Sequence, residues 1–151
     1  MTDLLCLDAN IYIKRLVAEG PVDLDQAAED LIDRAAIGSI LVAPAFAWAE
    51  VGSTLRKKVR TREISAQRAS EHWETFCGFP VAYVDMGTIR ARAWEIAEEF
   101  GLATLYDAAY LACAELAPIE EPGAREFWTA DGTLLQQLGD RCPAYVHRLG
   151  A

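Results

Sequence analysis

Apolar and polar residues alternate along the chain in blocks that predict strands and helices in turn. Leu4 to Leu7 is an unbroken apolar run, which is typical of a strand buried on both faces because a half-solvated strand alternates with polar residues. Three further strands are predicted at Ser39 to Ala43, Val81 to Val84 and Glu126 to Thr129. Pro143 to Val146 is a candidate edge strand, so the sheet has four or five strands.

Helical periodicity fills most of the sequence between these strands. Asp23 or Asp25 opens a helix that has one apolar face and ends at Gly38. Ser65 is predicted to cap a helix that continues to about Phe76. Strands that alternate with helices predict an α/β fold, here a three-layer α/β/α domain around a central, mainly parallel sheet. At 151 residues the chain is expected to form a single domain, residues 1–151.

Three helix starts are predicted from the chemistry of single residues. Pro44 fits the first turn of the helix after the second strand, where a missing N–H group costs nothing. Asp85 follows the third strand and is predicted to cap the next helix. Thr104 and Asp107 have the three-residue spacing of a capping box, with Asp where Glu is usual.

The composition indicates a cytoplasmic protein that does not span a membrane. The four cysteines have no C-x-x-C spacing, so we expect small core residues of a reducing cytosol and no disulfide or zinc framework; they are Cys6, Cys77, Cys113 and Cys142. No apolar run approaches the roughly 18 residues that a membrane helix needs. The net charge of −9 argues against a protein that coats nucleic acid through basic residues. It is compatible with a nuclease whose carboxylates bind divalent cations, because the bound cations attract phosphate.

Four acidic residues are expected to meet at one edge of the predicted sheet. Asp8 and Asp131 each come directly after a strand, and the carboxyl ends of parallel strands share an edge. The helix that starts near Asp107 leads into the strand before Asp131, so its start lies at the same edge. Glu50 lies about two turns into a helix that leaves this edge, within about 10 Å of the helix start. Carboxylates at such close range favour a cation between them, and oxygen ligands suit Mg²⁺ or Mn²⁺.

Each of these acids also has a local explanation that involves no metal. Asp8 and Asp131 can cap helices, Asp107 can be the third residue of its capping box, and Glu50 can pair with a nearby arginine. For any single acid, the local explanation is as good as the functional one. Four such coincidences at one edge are less economical than one metal site, so the set favours a metal centre.

The segments around these acids resemble a known family of nucleases. Leu7 to Asn10, Ala49 to Val51, Leu105 to Ala112 and Thr129 to Asp131 are similar to the acidic motifs of PIN-domain ribonucleases. The size is similar to that of VapC toxins from bacterial type II toxin-antitoxin pairs. The resemblance spans nearly the whole chain, and the sequence YDAAYLA within the third segment is its most specific part.

This resemblance implies roles for particular residues. It assigns the metal-binding quartet to Asp8, Glu50, Asp107 and Asp131, and it makes Asn10 and Thr129 polar residues beside the metal. It implies cleavage of RNA that depends on Mg²⁺ or Mn²⁺, a homodimer, and neutralisation by a cognate antitoxin. The hypothesis from the residues is metal-assisted hydrolysis of a phosphodiester bond, in which no histidine or lysine is needed as general base.

A basic cluster follows Glu50 on the same predicted helix. It places five of the fourteen basic residues within seven positions: Arg56, Lys57, Lys58, Arg60 and Arg62. These side chains can hold the RNA backbone without reading its sequence. They can equally be a solvated helix C-terminus, where cations are favoured by the helix dipole. The sequence leaves both interpretations open.

Other function classes fit the residues less well. A receiver-like Mg²⁺ switch needs an acidic pair after the first strand and a lysine after a late strand, but the chain has Asp8 followed by Ala9 and Asn10, and no lysine after Lys58. A dehalogenase-like phosphatase needs a second Asp where Asn10 stands. The nearer alternative is a PIN domain that processes RNA without a toxin role.

Overall fold

A single parallel sheet organises the protein, as described by a computed structural model of all 151 residues. The strands are β1 (Thr2–Leu7), β2 (Ile40–Pro44), β3 (Val81–Val84), β4 (Pro122–Thr129) and β5 (Val146–Arg148). They lie in the order β3-β2-β1-β4-β5, and every neighbouring pair is parallel. The five-stranded parallel sheet confirms the predicted α/β fold class.

Helices cover both faces of this sheet. They are α1 (Ala9–Val17), α2 (Val22–Asp33), α3 (Ala47–Arg60), α4 (Ala66–Cys77), α5 (Gly87–Phe100), α6 (Tyr106–Leu116) and α7 (Gly132–Leu138). Short 3₁₀ helices follow α2 at Arg34–Ile37 and α7 at Gly139–Arg141. None of the helices has both the length and the apolar character needed to cross a membrane.

The central strand β1 supplies side chains to two separate cores. Leu4 and Cys6 lie in a core with residues of α5, α6 and α7. Leu5 and Leu7 lie in a second core with residues of α1, α2, α3 and α4. Successive side chains of a strand point to opposite faces, so the unbroken apolar run of β1 serves both layers. This arrangement is the three-layer α/β/α architecture.

The strand order places a crevice outside the carboxyl ends of β1 and β4. The chain passes from β1 to β2 on one side, and β4 lies on the other side of β1. In open α/β sheets, the point where the strand order reverses is the usual ligand-binding position. Asp8 directly follows β1 and Asp131 lies just beyond β4, so the fold carries both residues to this position.

Two predictions around the second strand need correction. Pro44 is the last residue of β2, in register with Val84 of β3, and it does not lie in the first turn of a helix. Pairing with β3 holds the chain extended to this point, and α3 begins only at Ala47. Glu50 is therefore in the first turn of α3 and not two turns into it, which brings it closer to the sheet edge than predicted.

Two predicted helix caps are also wrong. Asp85 does not cap α5, whose N-cap is Met86; its carboxylate accepts two hydrogen bonds from Arg90 at 2.8 and 2.7 Å. The ion pair with Arg90 takes both oxygens that a cap would use. The N-cap of α6 is Leu105, without a side-chain hydrogen bond, so the capping box of Thr104 and Asp107 does not form.

Other local predictions are confirmed or need a smaller correction. Ser65 caps α4, and its hydroxyl accepts a hydrogen bond from the Arg68 N–H group at 3.1 Å. Cys6 and Cys113 are buried core residues as predicted, whereas Cys142 is only partly buried and Cys77 is exposed at the end of α4, so the prediction is wrong for Cys77. The fifth strand lies at Val146–Arg148, later than predicted, because its pairing with β4 starts at Val146.

Candidate metal centre

Three carboxylates from separate parts of the chain meet at the crevice. Asp8 follows β1, Asp131 follows β4, and Asp107 lies in the first turn of α6. One oxygen atom from each carboxylate lies within 4.8 Å of the other two. The predicted convergence of these three acids at one edge therefore matches their positions in the fold.

Asp8 is positioned by a hydrogen bond across the sheet. It occupies the N-cap position of α1, but its side chain makes no cap hydrogen bond. The Thr129 hydroxyl instead donates to Oδ2 of Asp8 at 2.9 Å. Asp8 is only 6% exposed. Burial raises its pKa to about 6, the Thr129 hydrogen bond opposes this rise, and the negative charges of Asp107 and Asp131 add to it.

Thr129 links two of the acids and is fully buried. Besides donating to Asp8, its hydroxyl oxygen accepts a hydrogen bond from the Asp131 N–H group at 2.9 Å. The Asp131 side chain caps α7, because its Oδ1 accepts from the N–H groups of Thr133 and Leu134 at 2.9 and 3.2 Å. The cap uses Oδ1 alone, so the second oxygen of Asp131 keeps its ligand capacity. Capping and metal binding are compatible at this residue.

Asp107 is half-buried and makes no side-chain hydrogen bond. Burial raises the pKa of its carboxyl above the ordinary value, and the charge of Asp131 raises it further. Loss of the predicted capping box removes the local explanation for this acid. Its close neighbours at the crevice are other carboxylates.

Glu50 lies beside this group of three but outside its tightest part. Its Oε1 atom is buried and has no hydrogen-bond partner. Burial raises the pKa of Glu50 to about 7, with a further rise from the charge of Asp8. The Tyr110 hydroxyl acts in the opposite sense, and the charge of Asp107 adds a smaller rise. Glu50 thus shares the electrostatic environment of the group while holding no fixed partner.

No basic side chain neutralises the four acids. The ion pairs of the protein include neither Asp8, Glu50, Asp107 nor Asp131. The four carboxylates repel one another, and one of their oxygens is buried without a partner. Together they offer only oxygen ligands, which Mg²⁺ and Mn²⁺ prefer. The residues present therefore fit a divalent cation, and the arginine partner considered for Glu50 is absent.

Asn10 and the basic cluster are placed less directly. Asn10 is exposed in the first turn of α1, and its backbone N–H lowers the pKa of Asp8. Its side chain makes no hydrogen bond, so its role beside the metal stays a prediction. The basic cluster begins at Arg56, six residues beyond Glu50 on α3. At a rise of about 1.5 Å per residue, the cluster starts about 9 Å beyond Glu50 along the helix axis.

Within the basic cluster, one lysine differs from the other members. Lys58 is bound to Glu19 at 2.7 Å and to Glu63 at 3.4 Å, and its side chain is 12% exposed. The remaining members are exposed and form no ion pair: Arg56, Lys57, Arg60 and Arg62. Lys58 therefore joins α3 to the segment that follows α1. For the other four residues, both interpretations from the sequence remain: contact with the RNA backbone, or a solvated helix C-terminus.

Tyr110 lies at the site but was not among the residues predicted for it. This residue lies one turn after Asp107 on α6 and is 1% exposed, yet its hydroxyl has no hydrogen-bond partner. The available signal was its place in the YDAAYLA segment, three positions from an acid and hence on the same helix face.

No family model matches the chain, and no curated protein matches it.

Proposed function

We propose that the protein is a PIN-like endoribonuclease that depends on Mg²⁺ or Mn²⁺. The observation that carries this proposal is the meeting of Asp8, Asp107 and Asp131, with ligand atoms within 4.8 Å of one another and no cation to neutralise them. A structural role alone leaves this arrangement unexplained, because crowding and burial raise the free energy of the charged carboxylates. The motif resemblance supports RNA as the substrate.

The chain's own residues have separate tasks in this proposal. Asp8, Asp107, Asp131 and Glu50 would hold the cation. A divalent cation supplies a Lewis acid that offsets charge developing on the phosphodiester. Thr129 keeps Asp8 aimed at the crevice through its 2.9 Å hydrogen bond, and the same hydroxyl orients the backbone of Asp131. Asn10, exposed in the first turn of α1, would be a polar group beside the cation.

The proposal includes a biological setting and partners. We infer a cytoplasmic toxin of a toxin-antitoxin pair, a homodimer, and inhibition by a cognate antitoxin. Large apolar side chains on the surface support association with protein partners, because such groups mark interaction sites when they cluster. Trp94, Leu105 and Tyr106 are 59%, 43% and 59% exposed, and Leu105 lines one hollow with Trp94 and another with Tyr106. A PIN-like RNA-processing enzyme is the alternative with the same chemistry.

Cleavage of RNA by the purified protein tests the chemistry. We expect the wild type to cut single-stranded RNA in Mg²⁺ or Mn²⁺ and to stop in EDTA. Asp8→Asn and Asp107→Asn should each lower the rate by about 100-fold or more, because removal even of outer-shell partners of a metal costs 10–100-fold. Asp85→Asn is the matched control, since Asp85 also follows a strand at this edge but is paired with Arg90.

The outcomes separate the alternatives. Full metal-dependent cleavage by Asp8→Asn would show that the acids are not the catalytic centre. Cation binding without cleavage of any RNA would favour the non-catalytic switch. Growth arrest on expression, relieved by a small protein encoded directly upstream, would support the toxin role. Cleavage without growth arrest would favour RNA processing.

A further inference from the structure

Two buried tyrosines have hydroxyl groups without hydrogen-bond partners. Tyr12 and Tyr110 are each 1% exposed, and the hydroxyl oxygens of both are buried and unpaired. An unsatisfied buried hydroxyl destabilises the fold, so each such group calls for an explanation. Tyr12 lies among apolar residues of the core formed by α1 to α4. Tyr110 lies next to the candidate metal centre.

Aromatic neighbours fix the ring of Tyr110 in place. The Phe46 ring meets it edge-on, with centroids 5.9 Å apart and an interplanar angle of 87°. The Phe127 ring lies on another side at 6.2 Å. Such contacts leave the ring little freedom to turn, because protein cores are close-packed. The hydroxyl is thereby held in one position at the side of the crevice.

Glu50 is the acid of the site that is connected to Tyr110 through Phe46. The Glu50 N–H group donates to the Phe46 carbonyl at 3.2 Å, so Glu50 lies one helical turn after the residue that supports the Tyr110 ring. The same residue, Phe46, thus contacts the Tyr110 ring and begins the helical turn that carries Glu50. Oε1 of Glu50 and the Tyr110 hydroxyl are both buried and have no hydrogen-bond partner. A carboxylate oxygen can only accept and a hydroxyl can donate, so the two unpaired atoms are complementary.

We propose that Tyr110 is a positioning residue whose hydroxyl donates a hydrogen bond to the Glu50 carboxylate and so fixes Glu50 as the fourth carboxylate of the metal centre. The three aspartates are already grouped, whereas Glu50 accepts no side-chain hydrogen bond and must be ordered before it can bind a cation. A rigid donor lowers the entropic cost of ordering a long side chain. Groups that orient metal ligands typically contribute about 10–100-fold to metal affinity. This inference rests on the proposed metal centre.

Binding of Mn²⁺ alone, followed by electron paramagnetic resonance, tests this role without substrate. We expect Tyr110→Phe to weaken Mn²⁺ binding about tenfold while circular dichroism shows an unchanged fold, because the lost hydroxyl has no hydrogen bond in the structure. Tyr12→Phe is the matched control: it removes an equally buried, unpaired hydroxyl from the other core and should leave Mn²⁺ affinity unchanged.

A double-mutant cycle assigns the effect to Glu50. In a Glu50→Gln background, Tyr110→Phe should cause no further loss of Mn²⁺ affinity, since the hydroxyl acts through the Glu50 carboxylate. Equal losses in both backgrounds, or wild-type affinity in Tyr110→Phe, would overturn this inference and leave the proposed function standing. Absence of Mn²⁺ binding by the wild type would overturn both.

Discussion

The two ends of helix α6 treat their acidic residues in opposite ways. Glu115, in the last turn, receives a hydrogen bond from Arg92 at 2.8 Å and another from the Tyr145 hydroxyl. Asp107, in the first turn, has no basic partner and shares the crevice with Asp8 and Asp131. One helix therefore carries a neutralised acid at one end and an uncompensated acid at the other.

This difference separates acids that stabilise the fold from acids that destabilise it. Glu115 joins α6 to α5 and to the segment before β5, so its charge is used in packing. Asp3 and Glu126 likewise share Arg34, at 3.5 and 2.7 Å. The carboxylates of the crevice are instead crowded without a cation of the protein. Such an arrangement persists in natural proteins mainly where function requires it.

The largest expected effect on stability concerns Asp8. Its pKa is raised from the ordinary 3.8 to about 6, so the folded state holds a proton more tightly than the unfolded state. Without divalent cations, the wild type should lose stability as pH rises from about 4 to about 7, because the buried carboxylate must ionise. A pKa raised from 3.8 to about 6 corresponds to about 3 kcal/mol. Asp8→Asn should remove the Asp8 share of this loss and be more stable than the wild type at pH 8, while the raised pKa of Glu50 leaves a remaining pH dependence around pH 7.

Urea unfolding in EDTA between pH 4 and pH 8 measures this contribution. The stability difference between Asp8→Asn and the wild type should grow with pH and shrink when Mg²⁺ is added. Asp85→Asn is the control with the opposite sign, since Arg90 lowers the pKa of Asp85 and ionisation there favours the fold. A difference between Asp8→Asn and wild type that does not change with pH would contradict the assignment.

A smaller effect is expected at the other end of α6. Glu115→Gln should lower the free energy of unfolding at pH 7 by about 2 kcal/mol, because it replaces a charge-assisted hydrogen bond of a partly buried pair. Glu95→Gln is a matched control, since Glu95 is bound to the same arginine, Arg92, but its side chain is 65% exposed. That variant should change stability by less than about 0.5 kcal/mol. Equal losses in the two variants would remove the contrast between buried and exposed partners.

The sequence was sufficient for the fold class because the strands carry strong local signals. The apolar run of β1 and the limits of Val81–Val84 could be read from periodicity, and alternation with helices implied a parallel sheet. The same logic grouped Asp8 and Asp131, since residues that follow parallel strands share an edge. It placed Asp107 beside them because the helix that starts near Asp107 leads into β4. These predictions depend only on the ends of the strands and on the direction of one helix.

Features that depend on contacts between distant segments could not be predicted. Pro44 remains in β2 because β3 pairs with it, and this pairing determines where α3 begins and hence the depth of Glu50. The position of the Tyr110 hydroxyl depends on packing of the ring against Phe46, which lies at the start of α3. Lys58 had four similar neighbours in the sequence, and only the folded position of Glu19 distinguishes it.

That distinction within the basic cluster gives the smallest expected effect. Lys57 is exposed and without an ion pair, whereas Lys58 is held by Glu19 and Glu63. If the cluster contacts RNA, Lys57→Gln should reduce the slope of log affinity against log salt by about 0.7, the value for one phosphate of a single strand. Lys58→Gln should leave the slope unchanged and lower the free energy of unfolding by up to about 1 kcal/mol.

Fluorescence anisotropy with labelled RNA measures both slopes in an Asp8→Asn background, where cleavage is suppressed. Unchanged slopes in both variants would identify the cluster as a solvated helix end. RNA contacts would then have to come from the crevice itself.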